Sequence, residues 1–170
     1  MKVIICGAGR VGSSIAAYLS REPHHEIILI DTQGDLVSKA SEIYDVKGVT
    51  GHAAHPDVLV RAGVREADAI IAVTELDEVN MVATQVAHSL FNVPKKIARL
   101  RAPSYLDAQW SNLFSRNHMP IDSIISPEYE VANAIIQRLS IPGTTNDIIL
   151  TGGGVHCIGL TCEDDCPLLN

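Results

Sequence analysis

The sequence has no surplus of positive charge. Its 170 residues contain 13 Lys and Arg against 20 Asp and Glu, which gives a formal net charge of −7. Proteins that bind nucleic acid gain much of their affinity when cationic side chains displace counterions from phosphates. The charge balance therefore argues against a nucleic-acid partner.

Long apolar runs and a secretory signal are also missing. Stretches such as Val3–Cys6 and Ala69–Val73 fall far short of the roughly 20 residues that span a bilayer. The first of them turns into glycines and has no small-residue cleavage site, so it predicts a strand rather than a signal peptide. We therefore expect a cytoplasmic protein without direct membrane insertion, whose four cysteines are reduced thiols.

The sequence does contain a regular alternation of short β-branched runs with longer amphipathic stretches. This pattern is typical of a parallel sheet covered by helices on both faces. Strands are predicted at Lys2–Cys6, Glu26–Ile30, Asp45–Val49, Ala69–Val73, Lys96–Arg101 and Ser123–Ile125. Helices are predicted at Val11–Ser20, Gly34–Ile43, Asp57–Ala62, Glu78–Leu90, Ser104–Asn117 and Glu128–Leu139. Residues 1–140 thus predict an α/β fold, a doubly wound parallel sheet of six strands.

The tail, residues 141–170, has a different texture. Turn-forming residues occupy 141–146, and the rest predicts a strand, a turn at Gly152–Gly154 and a second strand. Two strands are marginally stable alone in water, and this tail is too short to build its own core. We expect the sequence to be the front part of a longer protein, or the tail to pair with another subunit.

A glycine motif, Gly7-Ala8-Gly9-Arg10-Val11-Gly12, follows the first predicted strand and opens the first helix. Its first glycine permits a tight turn, its second lets a pyrophosphate approach the backbone, and its third lets the helix pack closely on the sheet. Free amides at the helix N-terminus then face the phosphates.

An acidic residue completes the pattern, because Asp31 directly follows the second predicted strand. At that place a carboxylate accepts hydrogen bonds from both ribose hydroxyls and repels a 2′-phosphate. The motif and Asp31 together predict an adenine-nucleotide or dinucleotide site. The alternative is a tight strand-to-helix turn in which Asp31 only caps a helix.

Three arginines are candidates for phosphate contacts. Arg10 lies in the glycine loop, where its guanidinium can hold phosphate oxygens or stay solvated. Arg99 and Arg101 are predicted to share one face of the fifth strand. The C-terminal end of that strand faces the ligand crevice in such folds. Ion pairing to a carboxylate is the alternative for both.

The segment after the fourth predicted strand adds further candidates. Thr74 lies where a strand end meets the ribose of a dinucleotide in this class of fold. Asp77 falls in the first turn of the following helix, where capping and the helix dipole alone would explain it.

No metal site is predicted. His52 and His55 stand three residues apart without an evident third ligand, so loop polarity and capping are the favoured interpretation. Cys157, Cys162 and Cys166 follow His156 at spacings that match no standard zinc arrangement.

A catalytic centre is not predicted either. Enzymes that transfer hydride need a positioned acid or base, and none is evident between Asp31 and Leu139. We therefore expect a nucleotide-binding protein that is not an enzyme. The alternative is the coenzyme-binding domain of an NAD-dependent oxidoreductase whose catalytic part lies elsewhere.

Seven segments together resemble the RCK family, also called the KTN or TrkA N-terminal domain family. They lie within residues 1–140, in order and at the family's spacing, which is far more specific than the glycine motif alone. The segments are Val3–Gly12, Ile28–Asp31, Gly51–Pro56, Leu59–Asp68, Ala72–Asn80, Ile97–Arg101 and Ile124–Glu128.

The resemblance implies a Rossmann-type domain that binds NAD(H) or ATP/ADP as a regulatory ligand. The glycine loop and Arg99 would contact the phosphates, and Asp31 the adenosine ribose. The family's usual Gly-Asp-Ala-Thr is Gly51-His52-Ala53-Ala54 here, which loses an acid and a hydroxyl near the adenine. The candidate site residues are Gly7, Gly9, Arg10, Val11, Gly12, Asp31, Thr32, Gly51, His52, Ala53, Thr74, Asp77, Asn80, Arg99 and Arg101.

The resemblance also implies partners. The helix at residues 128–139 would cross to a partner domain in a homodimer or larger ring, and residues 141–170 would begin a truncated RCK C-terminal domain. The full protein would be a regulatory subunit of a bacterial potassium uptake transporter of the Trk type. It would then lie at the inner face of the cell membrane.

Overall fold

The computed structural model describes residues 1–140, 144–150 and 155–160. Two compact units make up the chain, Met1–Ser126 and Pro127–Asn170. The first unit contains every candidate site residue.

A six-stranded, all-parallel sheet forms the centre of the first unit. Its order is β3-β2-β1-β4-β5-β6, so the direction of winding reverses between β1 and β4. The predicted α/β, doubly wound sheet of six strands is confirmed. The strands are β1 (Lys2–Cys6), β2 (Glu26–Asp31), β3 (Lys47–Thr50), β4 (Ala69–Ala72), β5 (Lys95–Arg99) and β6 (Ser123–Ile125).

Four helices cover the two faces of this sheet, and alternate strand residues supply an apolar cluster on each. Ile4 and Ile28 pack on the side of α3 and α4, whereas Ile5 and Leu29 pack on the side of α1 and α2. Burying one such side chain stabilises the fold by about 1.5 to 3 kcal/mol. The helices are α1 (Arg10–Leu19), α2 (Gly34–Ile43), α3 (Pro56–Arg61) and α4 (Asp77–Phe91).

Two of the predicted strands have an end that differs by two residues in the structure. The third begins at Lys47 rather than Asp45, and the fifth ends at Arg99 rather than Arg101. The backbone amides of Arg101 and Ala102 donate hydrogen bonds to the Asp77 carboxylate instead of extending the ladder. The prediction that Arg99 and Arg101 share one face of the fifth strand is therefore wrong, because Arg101 lies beyond the end of β5.

The predicted helix at Ser104–Asn117 is also wrong. The chain forms two 3₁₀ helices there, Pro103–Leu106 and Ala108–Phe114. Asp107 between them has extended backbone, and its carboxylate accepts a hydrogen bond from the Gln109 amide at 3.0 Å. Such local capping gives the backbone an alternative to a continuous helix.

The second unit contains α5 (Pro127–Ser140) and two antiparallel strands, β7 (Thr144–Leu150) and β8 (Val155–Leu160). The two predicted tail strands are thus present, while the predicted glycine turn lies outside the described residues. That this tail begins a further domain stays a prediction. Among the helices of the described residues, none has the length and apolar character needed to cross a bilayer.

The close packing of α1 on β1 can be tested at Gly12. A methyl group there would lie 1.7 Å from the Gly7 carbonyl oxygen. Because that oxygen belongs to the backbone and not to a flexible side chain, we expect Gly12→Ala to lower the free energy of unfolding by about 3 kcal/mol in denaturant titrations.

Gly9→Ala is the matched control. A methyl at Gly9 meets nothing within 4 Å, and its φ of −66° suits any residue. We expect Gly9→Ala to cost less than about 1 kcal/mol, mainly as a weaker helix cap. Equal losses in the two variants would contradict the close approach of α1 to β1.

Candidate nucleotide-binding site

A cleft of about 310 Å³ opens at the C-terminal edge of the sheet. Its walls are the loops that follow β1, β2, β3 and β4. In doubly wound sheets, ligands bind where the winding reverses, which here is between β1 and β4. The lining residues are Gly7, Gly9, Ile30, Asp31, Thr32, Gln33, Leu36, Gly51, His52, Ala53, Val73, Thr74, Glu75, Leu76 and Val79.

The glycine loop forms the first wall. Gly7 has a φ of 108°, its amide donates to the Ile30 carbonyl at 2.7 Å, and a methyl on it would lie 2.9 Å from the Val73 carbonyl oxygen. A side chain is thus strained there and has no room. Gly9, by contrast, borders open space. The first-turn amides of α1 have no acceptor within their own helix, and they point toward this end of the sheet.

Asp31 forms the second wall and holds two loops together. One carboxylate oxygen accepts a hydrogen bond from the Ala8 amide at 2.6 Å, and the other accepts one from the Gln33 amide at 2.9 Å. A carboxylate has about four lone-pair positions. Asp31 can therefore still accept hydrogen bonds from a ligand's hydroxyl groups.

The third wall contains Gly51, His52 and Ala53. The Gly51 amide donates to the Asp31 carbonyl oxygen at 2.8 Å, and the His52 ring stacks on the His55 ring with centroids 4.7 Å apart. No group of three His, Cys, Asp or Glu residues suited to a metal occurs among the described residues. Cys162 and Cys166 lie outside the described part of the chain.

The fourth wall is the loop after β4, and a buried amide holds it in place. The Oδ1 of Asn80 accepts hydrogen bonds from the Thr74 amide at 2.8 Å and the Thr74 hydroxyl at 2.7 Å. Its Nδ2 donates to the carbonyl oxygens of Thr74 at 3.2 Å and Arg99 at 2.9 Å. Asn80 is fully buried, so this one side chain joins the cleft wall, α4 and the end of β5.

The cleft combines a mainly apolar lining with a few polar and charged groups. Asp31 and Glu75 are its charged lining residues, so the N-terminal amides of α1 are the groups that can face an anion. Cys6 precedes the glycine loop and is buried, and burial raises the pKa of its thiol to about 12. A neutral thiol is a poor nucleophile, so Cys6 packs in the core as an apolar residue.

Comparison with known proteins assigns this chain to a family. A family model described as "TrkA-N domain" matches residues 3–127. The chain belongs to the TrkA-N domain family. It is 49% identical over 170 residues to the Trk system potassium uptake protein TrkA of Azorhizobium caulinodans. It is 42% identical over 169 residues to the protein of the same name from Halomonas elongata.

These alignments cover 100% and 99% of this chain but 37% and 36% of the two relatives. The TrkA-N chain therefore spans little more than a third of the length of the curated relatives it matches.

Solved structures agree with the family assignment. The TrkA-N domain of the Escherichia coli inner membrane protein YbaL superimposes with a TM-score of 0.69 at 20% identity, over 81% of this chain and 96% of that one. The GsuK RCK domain gives a TM-score of 0.65 at 28% identity, over 82% of this chain and 28% of that one. A structure of GsuK bound to ADP gives 0.62 at 28% identity, over 81% and 33%. The resemblance to the RCK family is confirmed.

The structure brings about half of the predicted site residues of this TrkA-N domain into the cleft. Gly7, Gly9, Asp31, Thr32, Gly51, His52, Ala53 and Thr74 line it, whereas Arg10, Val11, Gly12, Asp77, Asn80, Arg99 and Arg101 do not. Arg10 is exposed and borders a neighbouring depression between α1 and α2 together with Lys39. Ligand contacts by either group stay predictions.

Sequence reasoning missed several lining residues, among them Leu36 and Val79. Each is the third residue of its helix, α2 or α4. The N-terminal turns of both helices face the cleft, so the first turn of each predicted helix was the available signal. Gln33, Glu75 and Leu76 follow strand ends and carry the same signal.

A second cavity of about 310 Å³ lies at the other end of the TrkA-N sheet, where α4 ends and β5 begins. Its buried cation, Lys96, donates to the carbonyl oxygens of Val93 at 3.3 Å and Pro94 at 3.1 Å, and pairs with Asp122 at 2.9 Å. Partial burial raises the pKa of Asp122, but its hydrogen bonds with Lys96 lower that pKa overall. All three ammonium protons are thereby used, so Lys96 has none to offer a ligand.

The role of Asn80 can be measured as stability. Asn80→Ala removes four hydrogen bonds and leaves half-buried partner groups of Thr74 and Arg99 unsatisfied, so we expect the free energy of unfolding to fall by about 3 kcal/mol. Thr84 is equally buried in α4 but donates only to carbonyls of its own helix. We expect Thr84→Val to cost less than about 1 kcal/mol. Similar losses in both variants would show that Asn80 does not join separate segments.

Proposed function

We propose that this cleft binds an adenine nucleotide, NAD(H) or ATP/ADP, as a regulatory ligand. The observation that carries the proposal is the pairing of an open Gly9 at the start of α1 with the Asp31 carboxylate across the same cleft. One feature suits a pyrophosphate and the other a ribose. The structure of GsuK bound to ADP, at 28% identity, supports the choice of ligand class.

Individual residues take distinct roles in this proposal. The amides of the glycine loop and the α1 N-terminus hold the pyrophosphate, and Asp31 accepts the ribose hydroxyls. Ile30, Leu36 and Ala53 give the cleft an apolar wall for the adenine. Thr74 contacts the second half of the ligand.

The remaining candidates act at the border of the cleft. Neither Arg10 nor Arg99 lines the cleft itself. In this proposal both side chains therefore reach the phosphates from the rim of the cleft. Val11 offers its amide in the first turn of α1, and Gly12 allows that turn to lie close to the sheet.

The nucleotide acts as a signal rather than a substrate. A ligand shifts an equilibrium between two arrangements only by its difference in affinity for them, about 1.4 kcal/mol for each tenfold change in population. We propose that the full protein is a cytoplasmic regulatory subunit that passes this shift to a membrane potassium transporter. The names of the TrkA relatives support that partner.

A second copy of the chain is the proposed partner of α5. Val131, Ile135 and Leu139 follow one another at intervals of four along this helix, and each has more than half of its surface exposed. Tyr129 and Ile136 are exposed beside them. An apolar helix face of this kind is stabilised when a second helix covers it. We propose that two chains associate through this face.

Calorimetric titration of the chain with NAD, NADH, NADP, ATP and ADP tests the ligand. We expect binding of at least one nucleotide with a free 2′-hydroxyl, weaker binding of NADP, and no turnover. Asp31→Asn should reduce the discrimination against NADP, because the charge that repels the 2′-phosphate is lost. Gly9→Ala should weaken binding at least tenfold, since its methyl occupies the space left for the phosphates.

The circular dichroism and thermal stability of Gly9→Ala serve as its control, because no fold defect is expected. Failure of all five nucleotides to bind would contradict the proposal. Turnover of a nicotinamide cofactor would favour the oxidoreductase alternative instead.

Sedimentation or light scattering tests the α5 partner. We expect a dimer for the unaltered chain and dissociation in Ile135→Asp, because a carboxylate would then be buried in an apolar contact. Ala134→Asp adds the same charge at an exposed position off this face and should remain dimeric. Loss of the dimer in both variants, or a monomeric parent chain, would rule out this interface.

A further inference from the structure

The cleft wall after β4 is tied to the segment that leaves β5. Asp77 begins α4, is 8% exposed, and accepts hydrogen bonds from the backbone amides of Arg101 at 2.9 Å and Ala102 at 2.8 Å. In the opposite direction, the Arg101 guanidinium donates a hydrogen bond to the Glu75 carbonyl oxygen. Residues more than twenty positions apart in the sequence therefore hold each other in place.

These contacts indicate that Asp77 holds backbone segments together and does not contact a ligand. A single carboxylate oxygen, Oδ2, accepts both amide protons, and the side chain does not line the cleft. A carboxylate beside the phosphates of a nucleotide would also be repelled by them. The residues just before Asp77, by contrast, do line the cleft: Thr74, Glu75 and Leu76.

The backbone amides whose hydrogen bonds Asp77 accepts lie at the start of a separate structural segment. Ala102 is followed at once by the two 3₁₀ helices, Pro103–Leu106 and Ala108–Phe114. Charge-assisted hydrogen bonds to backbone amides are among the stronger ones in proteins. A movement of the cleft wall must therefore either carry this segment with it or break those bonds.

We propose that Asp77 is a positioning residue for the nucleotide cleft. It fixes the loop at Thr74–Leu76 against the start of the segment after β5, so that occupancy of the cleft and the position of the 3₁₀ helices depend on each other. This inference rests on the proposed nucleotide-binding function. Arg101 contributes to the same connection, because its guanidinium donates a hydrogen bond to the Glu75 carbonyl oxygen.

The chain contains its own reporter for this coupling. Its single tryptophan, Trp110, lies in the second 3₁₀ helix and is 55% exposed. Indole emission responds to a change in local environment, so a nucleotide that alters this segment should change the Trp110 fluorescence. No tryptophan lies in the cleft to confuse the signal.

Three variants separate positioning from charge. Asp77→Ala removes both hydrogen bonds. Asp77→Asn keeps an acceptor oxygen but loses the charge. Glu78→Ala removes the same charge from the same helical turn, at an exposed residue, and leaves the Asp77 acceptor of the Arg101 and Ala102 amides in place.

The experiment titrates each variant with ADP and with NAD, neither of which absorbs indole emission, and follows heat and Trp110 emission together. For a nucleotide that the parent chain binds, we expect Asp77→Ala to weaken binding at least fivefold and to retain less than a quarter of the emission change at saturation. Asp77→Asn should recover part of both. Glu78→Ala should bind as tightly as the parent or more tightly, with the full emission change.

Hydrogen exchange in the absence of nucleotide tests the two hydrogen bonds to Asp77 directly. The Arg101 and Ala102 amides should exchange faster in Asp77→Ala than in Glu78→Ala, while circular dichroism shows that both variants are folded.

The outcomes distinguish the inference from the function on which it rests. If the parent chain binds neither nucleotide, the proposed function fails and the inference falls with it. If the parent binds, but Asp77→Ala keeps its affinity and its emission change, only the positioning role is overturned. A parent that binds without any change in Trp110 emission would overturn the coupling.

Discussion

The contact between Gly7 and Gly12 is the constraint on which the rest of the site depends. The Cα of Gly12 lies so close to the Gly7 carbonyl that no side chain fits between α1 and β1. This approach sets the N-terminus of α1 at the place where the winding of the sheet reverses. The exposed amides, the Asp31 carboxylate and the loop after β4 then surround one cleft. If a methyl group at Gly12 displaced α1, the amides at the N-terminus of this helix would move away from Asp31 and from the loop after β4.

Sequence predicts the centre of the sheet well because β1, β2 and β4 are buried on both faces. Runs such as Val3–Cys6 must be apolar throughout, and their ends are marked by residues with a special task, Gly7 after β1 and Asp31 at the end of β2. Those end residues line the cleft as predicted, because parallel strands bring their C-terminal ends to one edge. The pattern thus contains the fold and about half of the residues that line the cleft.

Two of the errors, at the end of β5 and at the predicted helix of residues 104–117, share one physical cause, which is hydrogen bonding by acidic side chains to backbone amides. The Asp107 carboxylate divides a segment whose apolar spacing predicts one helix. The Asp77 carboxylate ends β5 early by accepting the amides of Arg101 and Ala102 from 24 and 25 positions along the chain. Asn80 likewise turns to Thr74 and Arg99 inside the protein. Long-range partners of this kind leave no trace in local periodicity, so they appear only in the folded chain.

The central claim is that the cleft at the C-terminal edge of the sheet, and not the cavity beside Lys96, receives an adenine nucleotide. A ¹H–¹⁵N correlation spectrum of the labelled chain, recorded while ADP or NADH is added, tests it residue by residue. We expect the largest shifts at the amides of Ala8 to Gly12, at Thr32 and Gln33, and at Thr74 to Leu76. Shifts confined to the residues around Lys96, or an unchanged spectrum at millimolar nucleotide, would contradict the account.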